Sequence, residues 1–369
     1  MSIAFILIFL LKNNYFFHKT IAVISSSQRC IATILPVVND IAFFYIYGMK
    51  RISILALHDA TLTSIDSSWQ LFSRINDFMR YQGRPPFYEV SIIAVDKTIS
   101  LNNGLYQIQA QQTLEETTAT DTIIIPLLCG NFQQAIEKNK PARQWVIDQY
   151  HQGAEIACLC VGSFFLASTG LLKNRKCAVH WAAKAEFHSS FPDVIIADDH
   201  IITHEKGIYT VAGGFSYLNL LLYVIEQHAG KELSVLASKM FEIDIERKSQ
   251  HPFVIFSGQK KHGDEMVLKA QEYIENNPTA LVSIESLCHS LSTGRRTFER
   301  RFKKHTANSV TEYIQRVKVE FAKKHLEAGR KTINEIIYET GYNDIDAFRK
   351  IFKKYTSLSP LEYRKKYSS

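Results

Sequence analysis

Two hydrophobic patterns divide the chain. From residue 50 to about 240, short apolar runs alternate with helix-length stretches. The runs are Ile52–Leu57, Val90–Val95, Thr122–Leu128, Glu155–Leu159 and Val194–Ala197, with Ile201–Thr203 nearby. Between them lie Ser67–Tyr81, Phe132–Tyr150, Ser163–Thr169 and Phe215–His228. Such alternation predicts an α/β sandwich, a mostly parallel sheet with helices on both faces. In such a sheet, functional residues belong at the carboxyl ends of the strands.

From residue 264 the period becomes helical. Met266–Asn276 carries Val267, Ala270 and Ile274 on one stripe, and Ser283–Leu291 carries Ile284, Leu287, Cys288 and Leu291. After the turn Ser292-Thr293-Gly294 comes Arg295–His305, with Phe298 and Phe302 facing inward. Ser309-x-x-Glu312 forms a capping box that opens a helix through Glu327. Its expected buried stripe is Tyr313, Ile314, Val317, Phe321 and Leu326, and Gly329 stops it. The plan then repeats. Thr332-x-x-Glu335 caps a helix bearing Ile333, Ile336 and Ile337, and Gly341-Tyr342-Asn343 turns. Asp344–Tyr355 comes next, with Ala347, Phe348, Ile351 and Phe352 inward, then Ser359-Pro360-Leu361-Glu362 opens a last helix. Phe298 and Phe348, Phe302 and Phe352, Thr306 and Thr356, Tyr313 and Tyr363 all keep one offset of fifty residues. Helix, short turn, basic helix is the helix-turn-helix order, so the region predicts an all-α tandem helix-turn-helix domain. The connecting helix of about 18 residues, roughly 27 Å long, can hold two readers near the ~34 Å spacing of successive major grooves.

Between the two regions, residues 241–263 read as a connector. Residues 1–48 contain the apolar run Ile3–Leu11, but Lys12, Lys19, Arg29 and Asp40 interrupt the stretch from there to Tyr47. No uncharged run reaches the roughly 20 residues that span a bilayer, and nothing basic precedes Ile3 as a signal peptide would require. Met49 leads straight into the first strand. The expectation is therefore that translation starts at Met49 and that residues 1–48 are a non-native extension, a membrane anchor being the alternative. The domains are then 49–240, 241–263 and 264–369.

Charge separates the same regions. Residues 261–369 hold 21 Lys and Arg against 14 Asp and Glu, which accounts for the whole net charge of +7. Such an excess points to a polyanion partner. The 6 cysteines include no C-x-x-C pair, so neither zinc nor a disulfide framework is expected, and reduced thiols point to the cytoplasm.

One strand end carries candidate chemistry. Ile156-Ala157-Cys158-Leu159 runs through Cys160 and Val161 into Gly162-Ser163-Phe164. The pattern predicts a nucleophile elbow that presents Cys160 above the sheet, where a helix N-terminus favours thiolate. Cys160-x-Gly162, Leu166-Ala167-x-x-Gly170-Leu171-Leu172 and His180-Trp181, with the later Gly213-Gly214, resemble the ThiJ/PfpI branch of the class I glutamine-amidotransferase-like superfamily. The version fused to DNA-binding domains in GlxA-type regulators is the most similar. The resemblance implies a flavodoxin-like sheet over roughly residues 50–240 and draws in Asp66, where relatives often carry an acid. It also exposes a departure, because Val161 stands where protease-like members place His and hydratase-like members place Thr. A catalytic cysteine needs a base within reach, and His180 is the only motif-associated candidate. Cys160, His180 and Asp66 are thus expected to form a sensor or vestigial site, with no catalytic residue, metal or cofactor. The alternatives are a Cys-dependent amidase, protease or hydratase acting through Cys160, and a thiol redox sensor.

The C-terminal motif is more specific. Gly341-Tyr342-x-Asp344-x-x-x-Phe348-x-x-x-Phe352-Lys353-Lys354, closing with Ser359-Pro360-x-x-Tyr363-Arg364, resembles the AraC-type regulator signature. Ala307 and Val310 depart from the Gly and Pro common in the first unit. The string Arg247-x-Ser249-Gln250-x-Pro252-Phe253 resembles the segment that precedes this domain in GlxA-type proteins. The resemblance implies a sequence-specific transcriptional regulator rather than an enzyme, bound to promoter or operator DNA. A homodimer through the N-terminal domain, RNA polymerase and an unidentified small-molecule effector are the further partners it suggests. Lys303, Lys304, Lys353, Lys354 and Arg364 are expected on phosphates. Arg295, Arg296, Arg300, Asn343, Asp346, Arg349 and Lys350 are expected at base edges or the adjacent backbone.

Overall fold

The computed structural model describes residues 49–197, 200–245, 249–260 and 262–368. The expectations for residues 1–48 and for Arg247 lie outside these residues. Among the described residues no helix is long and apolar enough to cross a membrane.

The α/β region begins with β1 (Lys50–Leu55), α1 (Leu62–Tyr81) and β2 (Tyr88–Ala94). A hairpin of β3 (Thr98–Leu101) and β4 (Tyr106–Gln109) is next, then β5 (Gln112–Thr113) and β6 (Thr122–Ile125). After these come α2 (Phe132–Lys138), α3 (Lys140–His151), β7 (Glu155–Cys158) and α4 (Ser163–Ser168). The region closes with β8 (Lys176–Cys177), α5 (Lys184–Ser190), β9 (Ile195–Ile196), β10 (Ile202–Glu205), β11 (Ile208–Val211), α6 (Tyr217–Ala229) and α7 (Lys231–Met240).

The main sheet has the order β10-β11-β7-β6-β1-β2-β5. Strands β11, β7, β6 and β1 pair in parallel, and β10 is an antiparallel edge. Every residue of β6 and β11 is buried, as parallel strands covered on both faces must be. Strand β11 stands beside β7, where the hydrophobic pattern predicts no strand. Only the two-residue turn Lys206-Gly207, both with positive φ, separates it from β10, so the run reads as a loop. The stretch Phe132–Tyr150 is two helices rather than one. Asn139 breaks it, its buried side chain bonding both the N–H and the carbonyl of His58 while Pro141 enters the next helix. Residues 72–89 are tied together by local bonds. There the Asn76 amide holds the backbone of Phe87 and Tyr88, and the Tyr88 ring packs edge-on against Phe72.

The C-terminal region is helical: α8 (Glu265–Asn276), α9 (Ile284–Ser290), α10 (Arg295–Thr306), α11 (Val310–Ala328), α12 (Ile333–Glu339), α13 (Ile345–Thr356) and α14 (Pro360–Tyr367). It has two apolar cores, one around Phe298, Phe302 and Tyr313, the other around Phe348, Phe352 and Tyr363. Truncating one such buried Phe to Ala typically costs about 3–5 kcal/mol. The 19-residue α11 serves both cores. Val310, Tyr313 and Val317 enter the first, and Val319, Ala322 and Leu326 enter the second. The stripe therefore changes face midway. Phe321, expected in it, is only half-buried and packs on His325 instead.

The sequence repeat is also a repeat of contacts. Phe302 meets Tyr313 edge-on at 5.2 Å, and Phe352 meets Tyr363 at 5.5 Å. The two tyrosine hydroxyls donate to Glu275 and Glu327 respectively. Capping boxes form at Ser309/Glu312, Thr332/Glu335 and Ser359/Glu362. Ala307 and Ser357 end the two basic helices at φ 56° and 60°. A left-handed non-glycine residue costs roughly 1–2 kcal/mol, which is the strain expected where Ala307 replaces Gly. Val310, the other departure, is buried in the first core.

The connector is more than a linker. Gln250 accepts the Trp181 N–H at 3.0 Å and donates to the Val179 carbonyl at 3.1 Å. His251 Nδ1 lies 3.0 Å from the Ser357 hydroxyl, and the Pro252 carbonyl accepts from Tyr367.

Candidate nucleic-acid interface and cysteine elbow

The elbow forms as its spacing predicts. Strand β7 ends at Cys158, and Cys160 takes φ 49° before the chain turns into α4. Gly162 is needed for close approach, since a Cβ there would lie 2.4 Å from the Pro126 carbonyl at the end of β6. The thiol is 3% exposed and takes backbone N–H groups from Val161 and Gly213. The expected thiolate is not supported. Burial pushes the Cys160 thiol up to about 11, outweighing those two donors. A charged sulfur in this apolar pocket loses more from desolvation than the helix start returns.

The residues grouped with it do not assemble a catalytic pair. His180 Nδ1 accepts the Ala182 N–H at 3.2 Å, capping a short helical turn, and burial lowers its pKa. Among the described residues no hydrogen bond joins His180 to Cys160. Asp66 is exposed on α1, and Val161 offers no proton acceptor. No cluster of the described residues has the ligands to hold a metal ion.

The basic helices are better ordered for binding. On α10 the apolar face buries Phe298, Phe302 and Thr306, which leaves Arg295, Arg296, Arg300, Lys303 and Lys304 exposed. Residues 296, 300, 303 and 304 share one helical face. On α13, Phe348, Phe352 and Thr356 are buried, while Asp346, Arg349, Lys350, Lys353 and Lys354 are exposed, with Asn343 just before the helix. Arg300 and Lys350, Lys303 and Lys353, Lys304 and Lys354 thus occupy equivalent places on two equivalent helices.

Ion pairs sort these cations. Arg296, Arg300, Lys303, Lys304, Lys350 and Lys353 make no ion pair among the described residues. Arg295 is held by Glu285 at 2.5 Å and Glu299 at 3.2 Å. Arg349 pairs with Asp346 at 3.2 Å. Arg364, expected on a phosphate, is half-buried and donates to the Lys331 carbonyl at 2.6 Å. It is a structural clasp, because α14 lays it against the loop after Gly329. Three further basic side chains serve the fold. Arg301 makes two 2.9 Å bonds to Asp264, Lys323 pairs with Glu320, and Lys318 is buried. The sequence signal for Arg301 is its place between Arg300 and Phe302, on the flank of the inward stripe. Lys318 and Lys323 give no such signal, since lysine on a helix ordinarily faces water.

Comparison with known proteins agrees with this geometry. Residues 50–227 match the DJ-1/PfpI family and residues 287–366 match a helix-turn-helix domain. The HTH-type transcriptional regulator GbdR of Pseudomonas aeruginosa is 24% identical, over 85% of this chain and 84% of its own length. The HTH-type transcriptional regulator GlxA of Rhizobium meliloti is 21% identical, over 87% of this chain and 98% of its own length. An uncharacterized HTH-type transcriptional regulator of Pseudoalteromonas carrageenovora is 32% identical over 30% of this chain and 66% of its own. Residues 50–227 are thus similar to the DJ-1/PfpI family and residues 287–366 to a helix-turn-helix domain, the pairing found in a chain whose full-length relatives are named as transcriptional regulators.

Proposed function

We propose that this chain is a sequence-specific DNA-binding transcriptional regulator of the AraC type, with a non-catalytic α/β domain used for sensing. One observation carries it: two equivalent helices, each with its aromatic face buried, expose matching cationic faces. Arg296, Arg300 and Lys350 would lie at base edges, and the lysine pairs at phosphates. Arg295 and Arg349 would have to exchange a carboxylate partner for DNA. The relatives named as transcriptional regulators support the same reading.

The elbow would act as a ligand-sensing remnant. A neutral, buried thiol beside Val161 is poorly placed for turnover, which weighs against an amidase, protease or hydratase. Gln250 links the backbone on either side of His180 to the connector, and the connector bonds the turn that ends α13. An effector seated near Cys160 and His180 would therefore reach the second reader through residues 250–254. A homodimer through the α/β domain and a contact with RNA polymerase complete the proposal.

Anisotropy titration of duplex DNA at several salt concentrations tests it. Affinity should fall steeply with salt, and Lys353→Ala should reduce the salt slope by roughly 1. Absence of any duplex affinity at low salt would remove the reading.

A further inference from the structure

The two helix-turn-helix units meet at one buried charge. Lys318 lies on α11 between Val317 of the first core and Val319 of the second, and is 5% exposed. Its ammonium donates to the Ala280 carbonyl at 3.0 Å, in the loop between α8 and α9. It also donates to the carbonyl of Thr340, the residue that ends α12. The first acceptor belongs to one unit and the second to the other. The Tyr342 ring stands 5.4 Å from the same nitrogen. No carboxylate pairs with it among the described residues, so the charge is held by carbonyl dipoles and a ring face. Burial lowers its pKa accordingly.

Gly341 makes the approach close. At φ 76° it turns the second unit, and a Cβ there would meet the Thr279 carbonyl at 3.1 Å and Lys318 Nζ at 3.2 Å. The turn before the second basic helix is thus seated directly on a loop of the first unit, with the ammonium between them. The two cores share no buried residue. Beyond the continuous α11, this is a directional joint, because charge-assisted hydrogen bonds need defined geometry and apolar contact does not.

We propose that Lys318 is a positioning residue that fixes the distance and angle between the two readers, so that the spacing of the two DNA half-sites is itself recognised. The inference rests on the DNA-binding reading above. Two readers held rigidly gain from simultaneous engagement, and the gain vanishes when the geometry does not match. A loosened joint would accept more spacings, each more weakly.

The test uses full-length protein and a duplex selected by the parent from a random pool. Companion duplexes have one half-site scrambled, or the spacer changed by single base pairs. Lys318→Met keeps side-chain length and removes the charge. It should weaken the two-site duplex by roughly 10–100-fold, leave the one-site duplex within about 3-fold, and flatten the preference among spacers. Equal loss on both duplexes, or an unchanged spacer preference, overturns the proposal. Thermal melts establish that the variant is folded. Should Lys318→Met fail to fold, Tyr342→Leu removes the ring face from Lys318 while leaving an apolar side chain against Phe348, and the same two readouts decide. A parent protein that selects no sequence removes the DNA-binding reading and this inference together.

Discussion

Cys160 has the backbone of a nucleophile and the environment of a core residue. Its φ of 49° and the glycine two places on are what a strand-to-helix elbow requires. Its burial and raised pKa, about 11, are what a reactive thiol avoids. At neutral pH only about one such thiol in 10,000 is ionised, against a few per cent for a free cysteine. We therefore predict that Cys160 in the native protein reacts with iodoacetamide at least ~100-fold more slowly than in the unfolded chain, and that labelling accelerates as pH rises. Peptide mass mapping after timed alkylation reads this. Labelling at the rate of a free thiol would restore the reactive-cysteine reading. The same distinction between place and environment applies to the arginines. Arg295 and Arg296 are sequence neighbours, but only Arg295 is already engaged by carboxylates.

The helices of the C-terminal region are legible in the sequence because their signals are local. Capping boxes and the Phe pairs four residues apart involve contacts within one or two turns, and the fifty-residue repeat shows in the residue types alone. Contacts set by distant chain escape such a reading. Strand β11 is interior to the sheet only because β7 lies beside it, and Lys318 is buried only because two units close over it. Phe321 is misplaced by its periodicity because α11 faces two cores, which no single helical stripe describes. The local signals carry a pH dependence. Backbone and hydroxyl donors of Ser309, Thr332 and Ser359 hold the carboxyls of Glu312, Glu335 and Glu362 below their ordinary value. A lowered carboxyl pKa stabilises the fold at pH above the unfolded value, and that contribution is lost as pH falls through the folded value. The helical region should therefore lose melting temperature below about pH 4.5, the reference value for Glu. Replacing all three by Gln, which keeps a capping partner, should shrink that loss. Melts followed by helical circular dichroism check it, and an equal acid loss in the triple variant would assign the effect to other carboxylates.

At the scale of the whole molecule, the charge asymmetry of the sequence divides into two populations. Lys318, Lys323, Arg301 and Arg364 hold the helical region together, while Arg296, Arg300, Lys303, Lys304, Lys350 and Lys353 are exposed and make no ion pair among the described residues. The excess of +7 in the last third of the chain thus overstates the number of cations available for DNA and conceals their order. That order, two equivalent basic faces on two joined units, is what would let one chain read two adjacent stretches of duplex. Selection of bound sequences from a random duplex pool by the full-length protein at low salt tests this without intermediary. Two enriched blocks should emerge, their centres about one helical turn, ~10 base pairs, apart. A pool that returns no enriched sequence, or a single block with no second element at any spacing, would contradict the two-reader arrangement.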